Sequence, residues 1–243
     1  MKTLFKFAIA ISLSLLGISE SHAQWGNKKV VGNGNVTTKT VNTRNYDAIK
    51  VVGSMDVHLE KGTEGSITVR TDDNLHEYIV VEVKDNTLVI KTKKHTYVKT
   101  RKGVHITVPF EDISEVSLVG SGDIDTKNTI KTDVFEVRVT GSGDIELAVE
   151  ANMVDASVTG SGDLVLSGTT NSLDVSVTGS GDFQGFNLES QNTEARVSGS
   201  GDLEVVAKRS LKDRVNGSGD ITYSGNPERS DTKISGSGDI SSN

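Results

Sequence analysis

The sequence of 243 residues contains no cysteine. This absence excludes a disulfide framework and a thiol for lipid attachment. Residues 116–240 also lack any sustained i, i+3, i+4 apolar pattern, and they are rich in Val, Thr, Ser and Gly, which disfavour helices. A helical repeat is therefore excluded. No second apolar run follows the one at the N-terminus, so the sequence predicts no membrane span after that segment.

Positive charge is scarce in the second half of the chain. Residues 24–112 carry 14 Lys and Arg against 11 Asp and Glu, whereas residues 113–243 carry 10 against 21. Nucleic-acid binding needs clustered basic groups that displace counterions, and passive adsorption to anionic lipid needs the same sign of charge. The acidic half therefore argues against both kinds of partner.

What the second half does contain is a repeated tetrapeptide, Gly-Ser-Gly-Asp, spaced 18 to 21 residues apart. Its seven copies begin at Gly120, Gly141, Gly160, Gly179, Gly199, Gly217 and Gly236. A unit this short cannot bury an apolar face alone, so successive copies must stack and share one core.

Apolar residues flank every copy with a period of two. Two residues before the first glycine stand Leu118, Val139, Val158, Val177, Val197, Val215 and Ile234, and four after it stand Ile124, Ile145, Leu164, Phe183, Leu203, Ile221 and Ile240. This alternation predicts a strand on each side of a glycine corner, followed by a polar return such as residues 167–171. The fold class is therefore all-β: a parallel β-helix, or solenoid, of about 19-residue coils, with right-handed winding expected for parallel crossovers.

The N-terminus has the pattern of a signal peptide. Lys2 and Lys6 precede an apolar run over residues 7–18, and Ser21-His22-Ala23 predicts cleavage before Gln24. The run is shorter than the roughly 20 residues that span a bilayer, which disfavours an uncleaved anchor. We therefore expect residues 1–23 to be removed and the mature chain to be exported to the periplasm, the outer cell surface or the medium.

The remaining chain divides into three parts. Residues 24–44 are predicted to be a flexible lead-in. Residues 45–112 are predicted to form an irregular β-region that caps the solenoid, with a degenerate corner at Gly53-Ser54-Met55-Asp56 and a hairpin that turns at Lys84-Asp85-Asn86-Thr87. Residues 113–243 form the repeat solenoid, continuous with 45–112 as one domain.

These segments together resemble a known family. The order of Tyr46 to Val51, Gly53 to Val57, Asn86 to Lys91, Val104 to Pro109 and then repeated Gly-Ser-Gly-Asp is similar to the head GIN domain family, described as putative auto-transporter adhesins. The resemblance covers roughly residues 45–240. It implies an exported β-helical protein, with adhesion as the expected activity.

Outward positions are the candidate binding surface. One column carries Arg138, Arg196 and Arg214, and the position before each corner carries hydroxyls that include Thr140, Thr159 and Thr178. A ligand-binding face and an ordinary solvated face with small ladders both fit this pattern.

The corner aspartates are the candidate metal ligands. Stacking would place Asp123, Asp144, Asp163, Asp182, Asp202, Asp220 and Asp239 in a file about 4.8 Å apart. Calcium accepts carboxylates and would offset their repulsion. The favoured interpretation is that each carboxylate accepts hydrogen bonds from corner amides or hydroxyls, because calcium-binding β-rolls use a different, nonapeptide repeat.

Catalysis has little support in the sequence. The histidines after residue 23 are His58, His76, His95 and His105, all outside the regular repeat and none at metal-ligand spacing. No catalytic residue, cofactor or confident metal site is assigned. The alternative function is a glycan-active lyase or hydrolase on a β-helix, which would need clustered carboxylates in a groove.

Two further segments bear on partners. The basic stretch from Lys91 to Lys102 can contact acidic glycans or phosphate groups, although an exposed hairpin tip is the simpler interpretation. In the last coil Thr232 and Ser242 take inward positions, so that end is either a frayed cap or a docking surface for an end-to-end dimer. The expected partners are a glycan or an envelope protein, and the expected function is that of an adhesin-like, non-enzymatic interaction module.

Overall fold

A computed structural model describes residues 28–243, so the predicted signal peptide and its cleavage site lie outside the described residues. The chain is almost entirely β-structure. Its elements are β1 (Lys28–Val31), β2 (Val36–Asn42), β3 (Ala48–Gly53), β4 (Asp56–Lys61), β5 (Ser66–Asp72), a 3₁₀ helix (Asp73–Tyr78), β6 (Ile79–Lys84), β7 (Thr87–Thr92), β8 (Thr96–Lys99), β9 (His105–Phe110), β10 (Glu115–Gly120), β11 (Ile124–Gly141), β12 (Ile145–Gly160), β13 (Leu164–Gly179), β14 (Phe183–Gly199), β15 (Leu203–Val206), β16 (Ser210–Gly217), β17 (Ile221–Ser224), β18 (Arg229–Gly236) and β19 (Ile240–Ser242).

The strands of the second half stack as a parallel β-solenoid with coils of about 19 residues, which confirms the predicted fold class. Each corner pairs in register with the next, so that Gly120 lies beside Gly141, Gly141 beside Gly160, and so on to Gly217 beside Gly236. The degenerate corner joins the same column, because Gly53 pairs with Gly120.

The close approach of the coils explains the corner glycines. Gly160 has a φ of +126°, and a Cβ there would lie 2.2 Å from the carbonyl oxygen of Gly141. A Cβ on Gly162 would lie 2.1 Å from the carbonyl oxygen of Gly143. In place of side chains, the N–H groups of Ser161 and Gly162 donate to that Gly141 carbonyl at 2.8 and 3.1 Å. Only glycine fits both positions within the stack.

The alternating apolar residues fill one continuous core. Val139, Val158 and Val177 are each 1% exposed, and Leu164 and Phe183 are fully buried. This core runs from Tyr46 in the first part of the chain to Ile221 near its end, so the N-terminal β-region and the repeat share one core.

The return bend differs from the prediction in the middle coils. β11 to β14 each run from one corner to the next without a break, because the return stays in the ladder, with Val149 beside Gly168 and Ala151 beside Thr170. Two consecutive exposed residues, Asn152 and Met153, mark the bend in β12. Separate strands lie on either side of a return at β9–β10 in the first coil and at β15–β16 and β17–β18 in the later coils.

The N-terminal part covers the first coil. β7 pairs in parallel with β3, and β6 and β7 form the predicted hairpin, whose turn residues Asp85 and Asn86 have φ values of 46° and 60°. β9 pairs in parallel with β4, and β5 and then β2 extend the sheet in antiparallel fashion.

The prediction of a flexible lead-in over residues 24–44 is wrong for the two strands that lie within it, β1 and β2. β2 pairs with β5, and β1 pairs in parallel with β8, although these partners lie far away in the sequence. Such long-range pairing leaves no periodic pattern in the local sequence, and the sequence therefore did not predict these two strands. Within residues 28–243, no helix is long and apolar enough to cross a bilayer.

Candidate binding surfaces

The corner aspartates form a hydrogen-bonded file. In each pair of successive corners, the backbone N–H of the later aspartate donates to Oδ1 of the earlier one. These bonds measure 2.8 to 3.4 Å and join Asp123, Asp144, Asp163, Asp182, Asp202, Asp220 and Asp239. Each carboxylate from Asp123 to Asp220 therefore has a backbone donor, as the favoured interpretation of the corner requires.

Burial and the close spacing of carboxylates affect the pKa of Asp123, the first aspartate of this file. Burial raises the pKa of Asp123, and the nearby carboxylates of Asp56 and Asp144 add to that rise. Within residues 28–243, no three His, Asp or Glu side chains are grouped so that they could hold a metal ion. Calcium binding at the corners stays the untested alternative.

The candidate arginines lie in the predicted outward column, but carboxylates neutralise them. Arg138 pairs with Glu136 and, at 3.5 Å, with Glu115. Arg196 bridges Asp174 at 2.7 Å and Glu194. These side chains are partly solvent-exposed, so each pair contributes little to stability.

Arg214 is held in the same way by the last coil. Its guanidinium donates to the carboxylate of Asp231 at 2.6 Å and lowers the pKa of that carboxyl. All three arginines therefore act as rungs of ion-pair ladders, and each would have to break a pair before it could bind an anion.

The threonines form an exposed row. Thr140, Thr159 and Thr178 pair in register, and all three are exposed. They present hydroxyls at the strand spacing of about 4.8 Å on a flat surface. This part of the predicted surface is free to contact a ligand.

A shallow groove lies farther along the same outer face. It has a volume of about 320 Å³ and lies between the column of Met153, Ser172, Asn192 and Ser210 and the column of Asp174, Glu194 and Lys212. Met153 is 40% exposed, and Val134, its neighbour in register, is 48% exposed. Hydroxyl and amide groups beside a small apolar patch are the chemistry of carbohydrate recognition. Sequence analysis did not single out this groove, because its Ser, Asn and Met side chains follow no motif.

The structure brings together two histidines that are distant in the sequence. The rings of His58 and His105 stack with centroids 6.2 Å apart, His58 Nδ1 lies 2.6 Å from Asp125, and His105 Nδ1 lies 3.4 Å from Asp56. Neither ring contacts a serine or threonine hydroxyl within residues 28–243. Each imidazole is instead held beside a carboxylate.

Sequence analysis missed a charged residue in the core. The inward column four residues before each corner reads Val116, Val137, Ala156, Val175, Ala195 and then Asp213. Asp213 is fully buried, and neither of its carboxylate oxygens has a hydrogen-bond partner. Burial raises its pKa to about 7. Extending the same count of inward positions to the corner at Gly217 would have identified Asp213 from the sequence.

Comparisons with known proteins agree with this fold. A putative adhesin of Bacteroides fragilis is 24% identical, with a TM-score of 0.83 over 88% of this chain and 100% of that chain. Two proteins of Parabacteroides distasonis also match, each over 89% of this chain and 100% of its own. One, described as a putative lipid binding protein, is 28% identical with a TM-score of 0.74, and the other, a putative adhesin, is 26% identical with a TM-score of 0.72. No curated protein matches the sequence.

A family model matches residues 45–227, which include the degenerate corner, the hairpin and six of the seven tetrapeptides. This range coincides with the part of the chain that carries the shared core. The chain therefore belongs to the family described as putative auto-transporter adhesin, head GIN domain.

Proposed function

We propose that the protein is an exported, non-enzymatic interaction module of the cell envelope that binds glycan along the outer face of its solenoid. The observation that carries this proposal is the in-register stacking of β11 to β14, which repeats outward side chains from coil to coil. A polymer of repeating units can place equivalent groups against such rows, and backbone hydrogen bonds hold the rows in place before a ligand arrives.

Two other observations support this proposal. The groove beside Ser172 offers polar groups and the exposed Met153 within one recess, as glycan recognition needs. The relatives with similar folds are described as putative adhesins or as a putative lipid binding protein, which are names for ligand-binding proteins. The predicted signal peptide supports export.

The test begins with the chain of residues 1–243 expressed in a Gram-negative host. We expect the protein in the exported fraction with Gln24 as its first residue, as determined by N-terminal sequencing. Purified protein is then applied to an array of neutral and acidic glycans. Binding to at least one glycan without shortening of that glycan is the expected result.

A matched pair of variants locates the surface. Ser172→Gln puts a longer side chain into the groove and should weaken binding at least about tenfold, which corresponds to about 1.4 kcal/mol. Ser241→Gln makes the same change at an exposed position of β19, on the strand that follows the last corner and outside the groove, and it should leave binding unchanged. Equal effects of the two variants, or release of shorter glycans, would contradict the proposal, and the latter would favour the glycan-active enzyme.

A further inference from the structure

The N-terminal end of the molecule carries a second surface with different chemistry. We define the basic flap as β1 together with residues 96–102, which include β8. The parallel register sets Lys29 beside Tyr97 and Val31 beside Lys99. Alternate residues of a strand point the same way, so these four side chains share one face. That face is open to solvent, since Tyr97 is 57% and Val31 is 56% exposed.

A recess lies at the edge of this face. Its volume is about 410 Å³, and one wall is the loop of Gly32, Asn33 and Gly34, while residues 99–102 form the other. Lys29, Lys99, Arg101 and Lys102 all line it. This size accommodates a small polar group or a sugar unit.

The two walls of the recess are held at a fixed separation. Asp72, which is 1% exposed, accepts a hydrogen bond from the Gly34 N–H and another from the Thr100 hydroxyl, each at 2.6 Å. Asn74 joins the same wall, because its side chain donates to the Val31 carbonyl at 2.9 Å and accepts from the Asn33 N–H at 3.1 Å. A recess that is already formed costs less ordering when a ligand binds.

The four basic side chains of the recess outnumber its one carboxylate, that of Asp72. Across residues 28–243, none of its four basic side chains forms an ion pair with a carboxylate. Arg138, Arg196 and Arg214 of the solenoid are all paired, so the flap differs from that arginine column. Four like charges in one recess repel one another, and an anion from outside would relieve that repulsion.

We propose that the basic flap binds an acidic glycan. Carboxylate, sulfate or phosphate groups of the glycan pair with the four basic side chains, and the ring of Tyr97 packs against a sugar ring. Arginine and lysine suit such groups because they donate charge-assisted hydrogen bonds. The proposal rests on the proposed function only in placing the protein among envelope glycans, since the flap and the groove are separate surfaces.

The shape of the surface favours a glycan over a bilayer. A pendant acidic sugar can enter a recess between two walls, whereas a bilayer surface is flat and would contact only the rims. Residues 113–243 carry 10 basic and 21 acidic side chains, so a bilayer of anionic lipid would also repel the nearer coils. Exposed charges more than about 8 Å away are screened at physiological salt, so the same coils do not prevent a flexible glycan chain from reaching the flap.

The test uses the whole purified protein with dextran sulfate, alginate and unmodified dextran as probes, and it measures affinity by calorimetry. Dextran sulfate and alginate should bind, with an affinity that falls as salt is raised, and dextran should not bind at the flap. The variant Lys99→Gln/Arg101→Gln/Lys102→Gln should weaken polyanion binding at least about tenfold. Tyr97→Ala should weaken it a few-fold.

Three controls make the result decisive. Lys127→Gln/Lys131→Gln/Lys208→Gln removes the same charge from exposed lysines of the solenoid and should leave binding intact. Equal losses in both triple variants would overturn the site, because net charge alone would then explain the binding. Ser172→Gln separates this site from the groove, and retention of polyanion binding in that variant is expected even if no neutral glycan binds.

Vesicles of anionic phospholipid provide the last control. Tighter flap-dependent binding to these vesicles than to dextran sulfate would overturn the glycan assignment and identify a membrane surface instead. Full polyanion binding by the flap variant, with an unchanged melting temperature, would also overturn it.

Discussion

The first coil of the solenoid is covered by other elements, whereas the last coil faces solvent along its whole length. At the N-terminal end, β7 and β9 pair with β3 and β4, β5 and β2 extend that sheet, and the 3₁₀ helix packs against β2 and β5. Leu75, Ile49 and Ile67 are fully buried there. At the C-terminal end every residue of β18 is exposed, and Ile234 is 43% exposed. The same column position is 1% exposed at Val177 in a middle coil.

This contrast shows how the repeat changes toward each end. Met55 stands where later corners have their second glycine, and within residues 28–243 no earlier corner lies beneath it to clash with its side chain. Toward the other end, the inward column changes from Ala195 to Asp213 and Thr232. The apolar core therefore thins one coil before the last, and the last coil covers a carboxylate in place of a hydrophobic residue.

The largest expected effect compares one corner in the middle with one at the end. Gly162→Val should destabilise the protein by about 5 kcal/mol, because the new side chain collides with a carbonyl held between fixed coils. Gly238→Val meets the Gly219 carbonyl at 2.0 Å in the same way, but the last coil can shift toward solvent, so about 1 kcal/mol is expected. Urea unfolding followed by circular dichroism measures both. Similar losses for the two variants would show that the last coil is as constrained as the middle.

The buried carboxylate of Asp213 should produce the next largest effect. A pKa raised to about 7 means that the folded state holds the proton more tightly than the unfolded chain does. Stability should therefore fall as the pH rises from about 4 to about 7 and then level off. Asp213→Val, which restores the residue type of earlier coils, should stabilise the protein on the order of 3 kcal/mol at pH 8 and by less at pH 5.

Denaturant unfolding at several pH values measures this difference. Asp155→Val serves as the control, because Asp155 is an exposed carboxylate of the neighbouring outward column. It should leave the pH dependence over this range as it is in the unmodified protein. A pH dependence that survives in Asp213→Val would mean that another group is responsible.

The parts of the fold that could be predicted are those with a local, repeated signal. The seven tetrapeptides predicted the corners and their register, and the alternation of apolar and polar residues around Val158 and Val177 predicted the core strands. The hairpin at Asp85-Asn86 was predicted for the same reason, since a turn motif between two apolar runs is a local feature.

The candidate surfaces depend on contacts that no local pattern records. β1 and β8 form the basic flap although 64 residues separate Val31 from Thr96 in the chain, and the stacked rings of His58 and His105 come from the pairing of β4 with β9. The sequence places an acidic column, which includes Glu136 and Asp174, beside the arginine column, but it does not show which of these side chains form ion pairs. A repeat predicts where a side chain lies, whereas the binding of an anion depends on which basic side chains have no carboxylate partner.

The smallest expected effect concerns the corner aspartates and again contrasts the middle with the end. Asp182 accepts the Asp202 N–H at 2.8 Å, so Asp182→Ala should cost about 1 kcal/mol, and Asp182→Asn, which keeps an acceptor oxygen, should cost less than about 0.5. Asp239 has no later corner beside it within residues 28–243, and Asp239→Ala should change stability by less than about 0.5 kcal/mol. Thermal melting with calcium and with chelator completes the test. If calcium raises the melting temperature of the unmodified protein but not that of Asp182→Asn, the carboxylates bind the ion; an unchanged melting temperature in both would leave the backbone hydrogen bond as the role of the file.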